Sequence, residues 1–247
     1  MEYRDWAPIY DRIRTEFGFP FEREVASADD LEARAAGRLA VPPLDPLRRL
    51  LSGRTVVVCG LAPGAGAPPL WRLPAEAPPP LLIAADGATE RCLASALVPS
   101  IVVTDLDGPV AAEVNANRRG SWVVLHAHGD NRPAIEEWAD QFPGRLVGSW
   151  AGPPRPRLLN VGGFTDGDRA VLLAEHLGAT RILLWGFDFV RVDEPDPRQR
   201  DRKLAKLEWA RRIIAEAAGR SRARVEIWRP DGRRVAYAEG AAESTTR

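Results

Sequence analysis

From residue 55 onward one pattern of hydropathy recurs: a short, almost unbroken run of β-branched and aliphatic residues, a few polar residues, then a segment with helical spacing. The runs are Thr55 to Gly60, Leu81 to Asp86, Ile101 to Asp105, Trp122 to His126, Arg145 to Ser149, Leu158 to Val161 and Arg181 to Gly186. Between them lie "GATERCLASAL", "RPAIEEWADQF", "DGDRAVLLAEHLG" and "RQRDRKLAKLEWARRIIAEAAG". A strand that is apolar on both faces must be covered on both faces. The pattern therefore predicts an α/β fold with a mostly parallel sheet between two layers of helices. Near the end, "ARVEIWRP" and "RRVAYAE" flank Asp231-Gly232, a strong hairpin signal, and "GAAESTTR" reads as a frayed tail.

The first 51 residues differ. Trp6, Ile9, Tyr10, Ile13 and Phe17 recur at three- and four-residue intervals, which predicts a helix with one apolar face. "ADDLEARAAGRL" predicts a second, capped by Ser27 or Asp29. The expected organisation is a helical extension over 1–51, the α/β domain over 52–220, and a hairpin with its tail over 221–247 packed on that domain. Lys plus Arg and Asp plus Glu both number 34, so no net field points to nucleic acid or an acidic membrane surface. Cys59 and Cys92 have no metal-ligand spacing and read as core thiols. "MEYRDWAPIYDRI" has no apolar leader pattern and no run is long enough to span a bilayer, so a cytoplasmic, non-membrane protein is expected. A homodimer is compatible with all of this.

In an open parallel sheet, ligands bind beyond the carboxyl ends of the strands. The unusual polar residues collect there: Asp86 after "LLIAA", Asp105 and Asp107 in "IVVTDLDG", His126, His128, Asp130 and Asn131 in "HAHGDN", Asn160, Thr165, Asp166, Asp168 and Arg169 in "NVGGFTDGDR", and Asp188 after "LLWGF". Asp-Leu-Asp-Gly could simply close a turn and cap a helix. At a rigid strand end, however, Asp105 and Asp107 can share a hard cation such as Mg²⁺, with Asp130 as a third ligand. Asp86 could equally cap the helix beginning near Thr89 or orient a ligand. The chain has only three histidines, and a three-histidine metal site is not expected. A role for His128 against phosphate or base is more economical. Amides at the start of "TDGDRA" suit phosphate, with Arg169 neutralising an oxygen and a divalent ion between the phosphate and the carboxylates. "CGLAPGAGAPPL" lacks the spacing of either familiar phosphate loop, yet Gly60 and Gly64 could line a nucleotide site through backbone groups. Lys203 and Lys206, the two lysines of the chain, share a helix face. That face is either a solvated surface or a lid over polyphosphate.

Taken in order, "ADGA", "VVTDLDG", "HAHGDN", "GGFTDGDRA", "GFDF" and "KLAKLEWA" resemble the archaeal 6-hydroxymethyl-7,8-dihydropterin pyrophosphokinase family, itself distantly similar to thiamine pyrophosphokinase. The resemblance covers roughly Gly53 to Ala217, with the N-terminal helices expected to be included. It implies transfer of a diphosphoryl group from ATP to the hydroxymethyl oxygen of the reduced pterin, with release of AMP, in magnesium-dependent synthesis of a folate-like or methanopterin cofactor. It places Asp105, Asp107 and Asp130 on the metal and gives catalytic roles also to Asp166 and Arg169. Gly60, Gly64, Asp86, His128, Asn131, Thr165, Asp168, Lys203 and Lys206 would contact the substrates. Trp150, Phe164 and Trp185 lie near strand ends where a flat pterin could stack. Ala67-Pro68-Pro69 departs from the family's pattern and weakens any serine contact to phosphate.

Three other readings compete. A thiamine pyrophosphokinase would use the same metal architecture. A haloacid-dehalogenase-like phosphatase would use Asp105 as nucleophile, but Pro109 stands where that motif has threonine. A non-catalytic nucleotide-binding module would leave a cluster of like charges unused, which is costly.

Overall fold

The computed structural model describes residues 1–34, 37–40, 42, 44–73 and 78–238. The expected frayed tail lies outside the described residues. Nine strands form one sheet: β1 (Thr55–Cys59), β2 (Leu81–Ala85), β3 (Ile101–Thr104), β4 (Trp122–Ala127), β5 (Leu146–Trp150), β6 (Leu158–Leu159), β7 (Arg181–Trp185), β8 (Arg224–Trp228) and β9 (Arg234–Ala236). Their order is β6-β5-β4-β3-β2-β1-β7-β8-β9, and every pairing is parallel except β8 with β9. The α/β architecture is the one the hydropathy pattern predicts.

Eight α-helices are described: α1 (Tyr3–Phe17), α2 (Phe21–Arg34), α3 (Asp45–Leu51), α4 (Ala88–Ala94), α5 (Val110–Arg118), α6 (Arg132–Trp138), α7 (Asp166–His176) and α8 (Pro197–Arg220). Alternate strand residues divide the core between the two faces of the sheet. Val56, Val58, Ile83, Ile101, Val103 and Val124 face a cluster that includes α1, α3, α7 and α8. Val102, Val123 and Leu125 meet α2, α5 and α6, while Val57, Cys59, Leu82 and Ala84 meet α4. Both thiols are buried and free, and they pack against each other in that last cluster.

α1 buries Trp6, Tyr10 and Ile13, one stripe of its surface, and ends where Gly18 adopts a left-handed φ of 68°. The chain then re-enters a helix at Phe21, directly after Pro20. α2 thus begins before Ser27 and Asp29, and neither caps it: Ser27 is buried inside the helix and Asp29 pairs with Arg155 at 2.6 Å. α5 is not announced by periodicity. Its buried face carries Glu113 and Asn117, so the apolar stripe that marks other helices is broken. At the C-terminus, Gly232 takes a φ of 91° and its N–H donates to the Arg229 carbonyl at 2.9 Å, closing the expected hairpin. No helix of the described residues is long and apolar enough to cross a membrane.

Strands β1 to β6 spread to one side of β1, whereas β7 pairs on its other side. The sheet therefore has a switch point between β1 and β7, the place where connections diverge and leave a crevice.

Candidate active site

The crevice is a cleft of about 420 Å³. The residues after β1 (Gly60 to Pro63), the end of β2 (Asp86), the start of α7 (Thr165 to Gly167) and the segment after β7 (Gly186 to Asp193) line it, and Lys203 and Leu207 of α8 close one side. Gly60 and Gly186 let the two strand ends approach. A Cβ on Gly60 would sit 2.6 Å from the Gly186 oxygen, and one on Gly186 would sit 2.7 Å from the Gly60 oxygen. Gly64 has a φ of 74° at the tip of its turn, outside the cleft lining. Arg91 donates to the carbonyls of Ala62 and Ala65 and so fixes the loop after β1.

One oxygen from each of Asp105, Asp107 and Asp166 lies within 4.8 Å of the others. Two come from the end of β3 and the third from the first turn of α7, so the strand and the helix that crosses it converge on one point. These are hard, anionic ligands of the kind Mg²⁺ takes. Burial opposes the charge of Asp105. The hydrogen bond and charge of His128 nonetheless overcome it and hold that carboxyl down at about 2. His128 Nε2 is 3.2 Å from Asp105 Oδ2. Asp107 is exposed to solvent, but the surrounding protein and the charges of Asp105 and Asp86 push it up to about 7. Burial, with Asp105 and Asp86, raises Asp166 as well. A divalent cation would relieve this mutual repulsion, so the donor set fits such an ion.

Behind the trio stands a second acidic pair. Asp86 sits at a φ of 43°, rare for a residue with a side chain. Its carboxylate occupies the space in which a Cβ on Gly108 would collide. The Asp86 side chain makes no cap for α4; the carbonyl of Asp86 takes the Thr89 N–H at 2.9 Å instead. Glu113 is fully buried beside Asp86 and Thr104. Asp86 Oδ1 and both Glu113 oxygens have no donor. Burial and the Asp86 charge push Glu113 up to about 9, so at neutral pH it is an acid with an O–H to give. That proton satisfies two of the three orphaned oxygens at once.

Other residues anticipated at the rim are placed differently from one another. Arg169 is 3% exposed, beneath the trio, with Nη1 3.4 Å from the Gly162 carbonyl and Nε without a partner. Its charge acts on Asp166, Asp168 and Asp105 from inside the protein. Asp168 turns back to accept the N–H groups of Phe164 and Thr165, each at 2.7 Å, and the Thr165 hydroxyl, so its oxygens are engaged by the helix cap. Asn131 donates to the carbonyls of Asp105 and His126, each at 2.7 Å, and ties the ends of β3 and β4 together. His126 is buried and held neutral by that burial, with Nδ1 3.0 Å from the Ser149 hydroxyl. Asp130 is not brought to the trio: it is exposed and lies 4.0 Å from Arg23. Lys203 pairs with Glu194 at 2.7 Å, and Lys206 lies over the Phe164 ring and within electrostatic reach of Asp107. Trp150 and Trp185 are core residues, the latter donating to the Gly66 carbonyl at 2.8 Å. Phe164 is half-buried against Phe17, 5.1 Å between ring centroids.

Residues 34–194 match the family described as "6-hydroxymethylpterin diphosphokinase MptE-like". The chain is 38% identical over 240 residues to a 6-hydroxymethyl-7,8-dihydropterin pyrophosphokinase of Methanothermobacter thermautotrophicus, covering 92% of this chain and 100% of that one. It is 34% identical to the protein of the same name from Pyrococcus furiosus, over 91% and 98% of the two chains. Among solved structures, a MAF glycosyltransferase from Magnetospirillum magneticum aligns over 92% of this chain and 41% of its own with a TM-score of 0.56 and 14% identity, a likeness of fold alone. A thiamine pyrophosphokinase from Bacillus subtilis aligns over 70% of this chain and 60% of its own at a TM-score of 0.39 and 15% identity, below the level at which a shared fold follows. With the family match spanning the sheet from β1 to β7 and the acidic rim it carries, the chain belongs to the MptE-like 6-hydroxymethylpterin diphosphokinase family.

Proposed function

We propose that this protein transfers the diphosphoryl group of ATP to the hydroxymethyl oxygen of 6-hydroxymethyl-7,8-dihydropterin and releases AMP. The observation that carries the reading is the convergence of Asp105, Asp107 and Asp166 beside a cleft at the switch point of the sheet, in a chain whose relatives bear that enzyme's name. In the reaction the alcohol oxygen bonds to the β-phosphorus, the bond from that phosphorus to the oxygen of AMP breaks, and the alcohol gives up its proton.

Asp105, Asp107 and Asp166 would hold Mg²⁺, which would supply charge neutralisation and Lewis-acid polarisation to the phosphates. The chain's own work is positioning. His128 and Asn131 fix Asp105, one through its carboxylate and the other through its carbonyl. Glu113 holds Asp86, which faces the cleft and is suited to orient a polar edge of a substrate. Gly60 to Pro63 and Gly186 to Asp193 form the walls between which the nucleotide would lie, with Lys203 at the side for phosphate. Arg169 acts from below by lowering the cost of gathering the carboxylates. Asp168, Thr165 and Asn131 serve the site as supports through the bonds they already make.

Incubation with ATP, Mg²⁺ and the pterin should give the pterin diphosphate and AMP in equal amounts. ADP as the matched product would mean single phosphoryl transfer, and free phosphate alone would mean hydrolysis. AMP formation with thiamine but not with the pterin would move the acceptor assignment.

A further inference from the structure

The His128–Asp130 turn carries the imidazole that holds Asp105, and it rests on the N-terminal helices, outside the residues that match the family. Glu24, on α2, is only 4% exposed. Its Oε1 accepts the Gly129 N–H at 3.0 Å and its Oε2 accepts the Tyr10 hydroxyl at 2.8 Å. Burial, with the charge of Glu24, raises Tyr10 well above the ordinary tyrosine range, so its hydroxyl stays a donor. Tyr10 stacks on Trp6, whose indole N–H donates to the Ala151 carbonyl at 2.9 Å. The approach of the turn to α2 is as close as backbone permits: a Cβ on Gly129 would lie 2.9 Å from Arg23 Cβ and 3.1 Å from Glu24 Oε1. On the far side of the turn, the His128 N–H donates to Asn131 Oδ1 at 3.0 Å, and the Asp130 N–H meets His128 Nδ1 at 3.3 Å.

We infer that Glu24 is a positioning residue for the diphosphotransfer site. By fastening the Gly129 amide to α2 it sets where His128 stands against Asp105, which makes the N-terminal helical pair a working part of the site. A buried carboxylate is expensive to retain at a place where only packing is needed. Here its two oxygens join an aromatic hydroxyl of α1 to a backbone N–H one residue from the imidazole. The glycine is required for the same reason, since any side chain at 129 would push the turn off the helix.

The kinetic part of the test rests on the proposed function; the exchange part does not. Amide hydrogen exchange is read by NMR on the metal-free protein. Glu24→Ala should raise the exchange rate of Gly129 about tenfold while the amides of Trp122–Ala127 keep theirs, since one hydrogen bond is lost and the strand is not. In turnover, Glu24→Ala should lower kcat about tenfold to a hundredfold with KM for ATP unchanged, because neither Glu24 nor the His128–Asp130 turn lines the cleft at the switch point. Glu24→Gln retains an acceptor for Gly129 and should recover most of both. Gly129→Ala should reproduce the loss of kcat with Glu24 in place. Unchanged exchange at Gly129 in Glu24→Ala would overturn the inference. So would equal damage from Gln and Ala at 24, or a uniform rise of exchange along β4, which marks simple loss of stability. If no substrate turns over, the exchange result still decides whether Glu24 holds the turn, while the product assay alone bears on the reaction.

Discussion

Replacing Glu113 with glutamine tests the account of the buried acidic pair most directly. Burial and the Asp86 charge move Glu113 from the usual 4.5 up to about 9 in the folded protein. The folded state therefore binds a proton that the unfolded chain has released across this window. Stability is full below about 4.5 and falls as pH rises toward about 9. The slope is about 1.4 kcal/mol per pH unit, so by neutral pH the carboxyl costs the wild-type fold about 3 kcal/mol relative to acid solution. Glutamine has nearly the same shape, carries no charge at any pH, and can donate an N–H to Asp86 in place of the O–H. Sharing of one proton with Asp86 reduces the expected gain to about 2 kcal/mol at neutral pH.

The assay is urea unfolding of wild type and Glu113→Gln, both metal-free, at several pH values from about 5 to about 8. Asp107 and Asp166 titrate in both proteins, so the difference between the curves isolates Glu113 and its partner. The variant should match wild type at the acid end and become progressively more stable toward the alkaline end. Curves that stay parallel, or a variant weaker than wild type at about pH 8, would refute the protonated-acid reasoning.

Two further outcomes follow from the same geometry. Asp107→Asn should keep its fold and, without metal, gain stability over wild type progressively from about pH 4 to about pH 7 and hold that gain above it, because the carboxyl it replaces is raised from 3.8 to about 7 by the surrounding protein and its acidic neighbours. It should also lose most turnover and much of the rise in melting temperature that saturating Mg²⁺ gives wild type; an equal rise in both proteins would remove Asp107 from the ion's shell. Trp150→Leu should cost about 2–4 kcal/mol of stability and leave the pterin KM unchanged, since Trp150 is 3% exposed in the core; a raised KM in a variant of normal stability would restore Trp150 to the acceptor pocket.

The sheet was legible because its strands are buried on both faces. A run such as Val56-Val57-Val58 can hardly be anything else, and seven such runs fixed strands to within a residue or two. The helices were legible only where their inner faces are apolar. α5 escaped because Glu113 and Asn117 point inward, and both are buried for reasons of hydrogen bonding that no hydropathy pattern carries. The start of α2 was misread for a related reason: Glu22, Arg23 and Glu24 look solvated, yet Glu24 is turned into the protein.

For the site, the strand-end rule brought Asp86, Asp105 and Asp107 to one rim, and the helix start brought Asp166 to the same point. What the rule could not supply is the direction each side chain faces. Asp130 and Asp107 look equivalent along the chain, but Asn131 bends the loop after β4 so that Asp130 faces Arg23. Arg169 looks like a phosphate ligand, yet Gly163 allows the backbone of α7 so close that the guanidinium enters the core: a Cβ there would lie 2.7 Å from Arg169 Cα. These placements together explain how so many carboxylates are tolerated. Arg169 supplies positive charge from inside and Lys206 acts on Asp107, His128 holds Asp105 by a hydrogen bond, and Glu113 avoids adding a charge by keeping its proton. The charge that remains on Asp105, Asp107 and Asp166 lies beside the cleft at the switch point, which Asp166 lines. A cation carried in on polyphosphate would be favoured there, so the fold's own charge balance, as much as the ligand geometry, favours phosphate at the end of the cleft that Asp166 lines.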